Sequence, residues 1–279
     1  MFLFRYIASA LRPVIEKYPK LAALYRDIRD QSDFDTDPIE SPWGFKLAGN
    51  QSMAKGAFEP QETELVRDML KNVDVLIDVG ANVGYYCCHA LSMNKKVIAF
   101  EPVFRNLRYL CHNIKINGWH DVEIYPIALS NKVDVLEIYG GDTGASILKG
   151  WAGVPESYKT LVPASTMDKI IGSRMRGKKV LIVIDIEGAE KWMLEGATMM
   201  LSNDPKPVWL IEITTVEHQP SGVNINPNFI ETFQLFLKNG YQAFNVNNGL
   251  QLLTIDDLYL FASGKRVLKN HNFLFTENK

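Results

Sequence analysis

The chain has 279 residues, 47% of them hydrophobic and 22% charged, proportions that exclude a disordered or fibrous chain. Thirty basic against 32 acidic residues leave a net charge of -2, without the positive field that binding to nucleic acid requires, so no nucleic-acid partner is expected. No run approaches the roughly 18 apolar residues of a membrane span. The first positive charge, Arg5, follows the apolar start and does not precede it, unlike a signal peptide. Cys87, Cys88 and Cys111 form no CxxC pair and no zinc-spaced set, which points to reduced thiols in a cytoplasmic protein.

Residues 1–31 place Phe4, Ile7, Leu11, Val14, Leu21, Leu24, Tyr25 and Ile28 at helical spacing, broken by Pro13 and Pro19, with six Lys/Arg against three acids. Two short amphipathic helices are expected. Their apolar face would pack on the body or on a second copy in a homo-oligomer, and the same basic amphipathic pattern also fits peripheral membrane contact. The acidic stretch from Asp33 to Pro42 is read as a linker, dividing the chain into a helical appendage, 1–42, and a body, 43–279.

From residue 65 strands and helices alternate. Strands are expected over 73–79, 96–100, 122–128, 133–139, 180–186 and 208–213, and helices over 83–92, 103–117, 190–201 and 229–238, before a β-rich tail from Gly240. The pattern predicts a doubly wound α/β sheet, whose ligands sit at the carboxyl ends of the strands. The segment Val75-Leu-Ile-Asp78-Val-Gly80-Ala-Asn82-Val-Gly84-Tyr-Tyr86 runs a buried strand through a glycine turn into a helix. Glycines there let a ligand approach the backbone. A dinucleotide would bring pyrophosphate to that turn, where Asp78 repels it, whereas the ammonium and sulfonium of S-adenosyl-L-methionine (SAM) suit an acid. Glu101, ending the next strand before Pro102, can accept hydrogen bonds from both ribose hydroxyls of an adenosine. The competing reading on the same sheet is a nicotinamide-dependent oxidoreductase, disfavoured by Asp78 and by the lack of a helical Tyr-x-x-x-Lys pair. A non-catalytic module binding a partner through residues 1–31 is a third.

These motifs resemble the FkbM family of SAM-dependent methyltransferases over residues 43–276. The similarity rests on Asp78 to Tyr86, Phe100-Glu-Pro102, Asn113 and Asn117, Ala128-Leu-Ser130, Asp185-Ile-Glu-Gly-Ala-Glu190, Glu212 and Asn272-Phe-Leu-Phe275. The resemblance implies a class I methyltransferase fold, a Rossmann-like seven-stranded sheet with its last strand antiparallel, and methyl transfer to oxygen, often on sugars, glycans or polyketide-type natural products. It also implies that Gly80, Asn82 and Tyr85 line the methionine end of SAM and Glu101 its ribose, with Gly84, Pro102 and Asn106 also among the cofactor-binding residues. Ala128 would pack near the adenine, and Phe58 and Glu59 over the cofactor. Asn117, before Gly118, reads more simply as a helix stop in the left-handed conformation.

At the reacting end the acceptor oxygen must be held in line with the methyl group, and a base must take its proton. Asp185 and Glu187 end one strand and Glu212 its neighbour, with His218 five residues beyond Ile213. These four are the candidate catalytic residues, Asp185 also touching the cofactor, while Glu190 reads as a helix-start residue. Asp185, Glu212 and His218 could instead hold Mg²⁺ and orient a diol, although no metal is expected. The loop from Tyr139 to Trp151 is read as facing a small-molecule or glycan acceptor, with Thr143 and Ser146 supplying hydroxyls and Trp151 an aromatic platform.

Overall fold

The computed structural model describes residues 37–278 except Asp142 and Asn248, together with residues 18, 21, 22, 24–26 and 28. The other residues of the expected N-terminal helices lie outside the described set. β1 (Ile39–Glu40) and β2 (Lys46–Leu47) form a short hairpin, and β3 (Val75–Val79), β4 (Lys96–Phe100) and β5 (Val122–Tyr125) follow as parallel neighbours. The chain then leaves the main sheet for β6 (Ala128–Leu129), β7 (Asp134–Tyr139) and β8 (Lys159–Ser165). It returns through β9 (Val180–Ile184), β10 (Val208–Glu212), β11 (Tyr241–Val246), β12 (Leu250–Leu252) and β13 (Asn272–Glu277).

The main sheet has the order β12-β11-β13-β10-β9-β3-β4-β5, with β13 antiparallel to both neighbours. Seven of its strands give the doubly wound, mostly parallel sheet expected, and the last in the chain is antiparallel. Two features differ. An eighth strand, β12, pairs with β11 as an exposed edge. The expected strand over 122–128 also breaks at Pro126, which has no N–H to offer the ladder, so Ala128 opens a separate three-stranded sheet with β7 and β8.

Every residue of β3 and β9 is buried, because helices cover both faces. One face, with Ile77, Ile98, Ile182, Trp209, Ile211 and Phe273, packs on the helices Glu190–Glu195 and Phe229–Lys238, where Phe236 stacks on Phe275 with ring centroids 3.9 Å apart. The other, with Leu76, Ala99, Val183, Leu210 and Leu274, packs on the helices Pro60–Leu70, Tyr85–Ser92 and Phe104–Ile116. The upstream segment corrects one expectation. Its residues Ala22 and Arg26 are buried, whereas Leu21, Leu24 and Ile28 are exposed, so of the two packings expected for the apolar face the one on the body is not seen among the described residues.

Asn113 and Asn117 turn out to be fasteners. Asn117 has φ -95° and leaves the left-handed conformation to Gly118 at +71°; its amide instead accepts from Lys46 N and donates to Lys46 O, both at 2.8 Å. Asn113, fully buried, accepts from Ala48 N (2.8 Å) and donates to Ala48 O (3.1 Å) and Val83 O (2.8 Å). Both tie the β2 segment to the helix Phe104–Ile116. Asn113→Ala strands buried backbone groups without partners, and denaturant unfolding should show a loss of about 2–4 kcal/mol.

Candidate active site

Strand periodicity builds the site. Alternate residues share a face, so the face carrying Leu76, Ala99, Val183 and Leu210 carries Asp78, Glu101, Asp185 and Glu212 two residues further on. Asp78 is level with Ala99 and Val183. One step nearer the carboxyl edge, the next row on that face is Glu101, Gly80, Asp185 and Glu212, completed by Asn272 of β13, which pairs with Glu212. Gly80 is the gap in this row. Its φ is +83°, and a Cβ there would stand 1.9 Å from the Asp185 carbonyl oxygen, so close packing of the two turns itself demands glycine.

The cleft above this row has two halves. Ile127, Ala128, Ile138, Ala145 and Ile147 wall one of them, facing Glu101, Pro102 and Asn106. Glu101 Oε2 accepts from Asn82 N and Oε1 from Val103 N, each at 2.7 Å. Burial nevertheless pushes its carboxyl up to about 7, against the lowering effect of these bonds and of Asn106. Asn82 sits in the left-handed region, φ +51°, and its buried Oδ1 has no hydrogen-bond partner.

The other half is acidic, lined by Glu59, Asp78, Asp185, Glu187 and Glu212 together with Phe58, Tyr85, Tyr86 and Thr143. No lysine or arginine is among the described residues lining either half. Burial raises Asp78 to about 6 although Cys87 Sγ donates to it at 3.1 Å. Burial, then the charges of Glu212 and Glu62, raises Glu59 to about 7. Asp185 opens onto the cleft, yet surrounding protein strips its hydration and Glu212, Glu187, Glu59 and Glu190 add repulsion, so its carboxyl stands well above the ordinary range. Glu212 is raised by burial and by Glu187, opposed by His271 and His218. Tyr86 donates its hydroxyl to Glu59 Oε2 at 3.4 Å, whereas Tyr85 commits its own to Thr63 Oγ1 at 3.0 Å and meets Phe58 edge-on.

The structure thus brings together Phe58, Glu59, Asp78, Gly80, Asn82, Tyr85, Asp185, Glu187, Glu212 and Thr143 around one half, with Glu101, Pro102, Asn106 and Ala128 around the other. Four residues need correction. Gly84 lies outside the cleft lining; its φ is +85°, and a Cβ there would meet Leu110 Cδ1 at 2.5 Å, so its role is helix packing. Ser146 is buried, donating Oγ to Glu187 O (2.6 Å) and accepting from Leu148 N (2.9 Å). Trp151 is only 1% exposed and presents no platform; its Nε1 donates to Glu187 Oε2 at 2.7 Å. His218 is exposed at φ +62°, its carbonyl accepting from Ala152 N at 2.8 Å, and it reaches Glu212 only through its charge.

Met53, Tyr86 and Asn272 also line the acidic half and were not singled out as site residues from the sequence. Tyr86 lay within the glycine-turn motif, next to Tyr85, whereas Asn272 enters only through the pairing of β13 with β10. His271 Nε2 meets Glu217 Oε2 at 3.2 Å, a partner invisible to spacing. Among the described residues no three His, Cys, Asp or Glu side chains form a metal-holding group, so the set Asp185, Glu212 and His218 does not assemble.

A doubly wound sheet of this order, with acids along its carboxyl edge, has the class I methyltransferase architecture. Residues 78–243 match the methyltransferase FkbM domain, and the chain belongs to that family of methyltransferases. Remote similarity links it to several solved structures. A SAM-dependent methyltransferase from Agrobacterium tumefaciens is 13% identical, over 88% of this chain and 70% of that one, with a TM-score of 0.43. A precorrin-6y methyltransferase from Geobacter metallireducens is 10% identical over 83% and 94%, with a TM-score of 0.42. An O-methyltransferase so described from Klebsiella pneumoniae is 10% identical over 80% and 81%, with a TM-score of 0.38. No curated protein matches the chain significantly.

The raised carboxyls make stability depend on pH. Asp78 is raised to about 6, Glu59 and Glu101 to about 7 and Glu190 to about 8, so the folded protein retains protons that the unfolded chain releases near pH 4 to 4.5. The unfolded state binds fewer protons across that window, and stability falls as pH rises through it. Calorimetric melting of the ligand-free protein should show its transition temperature declining from about pH 5 to about pH 8.5, with Glu101→Gln flattening part of the slope.

Proposed function

We propose that this methyltransferase uses SAM and transfers the methyl group to a hydroxyl of a sugar, glycan or polyketide-type small molecule. The observation that carries the reading is the row Glu101, Gly80, Asp185, Glu212 beneath a cleft with no lysine or arginine among its described lining residues. An electropositive ligand gains most from such a lining, and one bearing phosphate loses most. The unpaired Oδ1 of Asn82 offers an acceptor at the junction of the two halves.

SAM supplies an electrophilic methyl group on a positively charged sulfur. Glu101 would hold the ribose hydroxyls with the lone pairs left after its two backbone bonds. Ala128 and its apolar neighbours would enclose the adenine, and Asn82 and Gly80 would face the methionine end with Phe58 and Glu59 over it. Asp78 adds negative charge from one step below. Trp151 holds one oxygen of Glu187 and so fixes the acidic wall beside Asp185. A base works best with a pKa near the operating pH. Asp185 and Glu212, both raised by burial and by neighbouring acids, are the carboxyls that would receive the acceptor's hydroxyl proton.

Titration calorimetry with SAM and with S-adenosylhomocysteine tests the cofactor. Heat is expected from both and none from NAD, with affinity at least about tenfold weaker in Glu101→Ala, and SAM binding tightening as pH rises through about 7 because a cation favours ionised carboxylates. Unchanged SAM affinity in Asp78→Ala and Glu101→Ala would remove the site assignment. Mass-spectrometric search for an added methyl group, using labelled SAM and extracts of the source cell, tests the transfer. Once an acceptor is found, Glu212→Gln should lower kcat by about 10²- to 10⁴-fold with little change in SAM affinity. Tight cofactor binding with no methylated product in any extract would favour a non-catalytic module.

A further inference from the structure

Glu62 is a buried carboxylate just behind the cleft lining. It lies on the first turn of the helix Pro60–Leu70, 6% exposed, and its Oε1 accepts from Asn270 Nδ2 at 2.6 Å and from Asn272 Nδ2 at 3.5 Å. Asn270 Oδ1 in turn accepts from Asn272 N at 2.6 Å, and buried Asn245 donates Nδ2 to Asn270 O at 2.9 Å. Residues 270–272 are thus held from two directions where β13 begins. The bond from Asn272 to Glu62 is long, but its sense is fixed, because a carboxylate accepts an amide N–H and repels an amide carbonyl. Asn272 also lines the acidic half of the cleft, directly across the β10–β13 ladder from Glu212. Opposed residues of such a ladder stand with Cβ atoms about 4.5–5.5 Å apart. With the amide N–H₂ turned to Glu62, the carbonyl is the end of Asn272 left for the cleft.

Resting on the reading that this cleft methylates a hydroxyl, we propose that Asn272, oriented by Glu62, is an acceptor-binding residue whose carbonyl accepts from a hydroxyl on the carbon next to the one methylated, so that the acceptor is a vicinal diol. Glu212 takes the proton that the reacting oxygen loses as it gains the methyl group, and Asn272 holds the neighbouring hydroxyl. A polyol of the sugar type supplies both groups. An isolated alcohol leaves the Asn272 carbonyl desolvated without a donor, the kind of loss by which polar sites reject an analogue lacking one hydroxyl. Glu62 is then a positioning residue, acting through Asn272. The neutral amide also suits its place, since Glu62 already adds repulsion to Glu59 and Glu212, and a further carboxylate at residue 272 would offer Glu62 no donor.

Saturation-transfer NMR of the full chain loaded with S-adenosylhomocysteine tests the proposal, with vicinal cis-cyclohexanediol and cyclohexanol as probes. The wild type should bind the diol at least about threefold more tightly than the monoalcohol. Asn272→Ala should lose that preference while keeping its melting temperature and its calorimetric affinity for S-adenosylhomocysteine. Glu62→Leu should lose the preference too, whereas Glu62→Gln, which still offers Asn272 a carbonyl, should keep it, a pattern of probe selectivity that a merely structural Glu62 does not produce. No binding of the diol by the wild type, or equal binding of both probes, overturns the proposal and leaves the cofactor reading standing. A diol preference that survives Asn272→Ala overturns it as well, and so does a loss of S-adenosylhomocysteine affinity in that variant, which would put residue 272 against the cofactor. Failure of the wild type to bind S-adenosylhomocysteine overturns both readings.

Discussion

The approach of two turns at the carboxyl edge of the sheet governs the site. Where the turn after β3 meets the turn after β9, residue 80 lies so close to the Asp185 carbonyl that a methyl group cannot fit between them. This contact clamps the two central strands at their ends and leaves a hole in a row that otherwise carries side chains on every strand. Glu101 and Asp185 flank the hole, Asp78 lies beneath it, and the helix Tyr85–Ser92 starts just past it. A single requirement of packing thus creates the floor of a cleft and decides which carboxylates face each other across it.

Those carboxylates are costly to keep together. Burial and repulsion among acids lift several of them toward neutrality, with no lysine or arginine among the described lining residues to offset the charge. The backbone carries tension at the same place. Glu59, Asn82 and Glu187, which line the cleft, and His218 nearby all adopt positive φ without being glycine, an arrangement that persists only where neighbouring contacts enforce it. For Glu187 those contacts are the hydrogen bonds from Ser146 and Trp151. Stability is given up locally so that carboxyl groups stand together before a ligand arrives.

Much of this was legible in the amino-acid sequence because it follows from counting by two. A buried strand that ends in an acid projects that acid from the face two residues behind it, so Asp78, Glu101, Asp185 and Glu212 could be placed at the ligand edge before any coordinates. Long-range packing was not legible. The loop from Tyr139 to Trp151 has glycines, hydroxyls and an indole, a composition that serves equally for an acceptor pocket and for a buried clamp, and only the contact with Glu187 distinguishes them. Asn117 does end the helix Phe104–Ile116 as its spacing suggested, but its bonds to the β2 segment, 71 residues away in the chain, were not visible. β8 went unseen since Pro163 interrupts its pattern, and the N-terminal periodicity announced an amphipathic segment without saying which face would turn outward.

The bond between Trp151 and Glu187 has an optical consequence. Excitation of an indole shifts electron density away from its pyrrole ring, and here the pyrrole N–H is held at 2.7 Å by a carboxylate lining the cleft, inside a shell that shuts out bulk water. The emission colour of this tryptophan therefore depends on the charge state of the acid it grips. A change in what occupies the acidic half is written into the protein's own fluorescence, with no label attached.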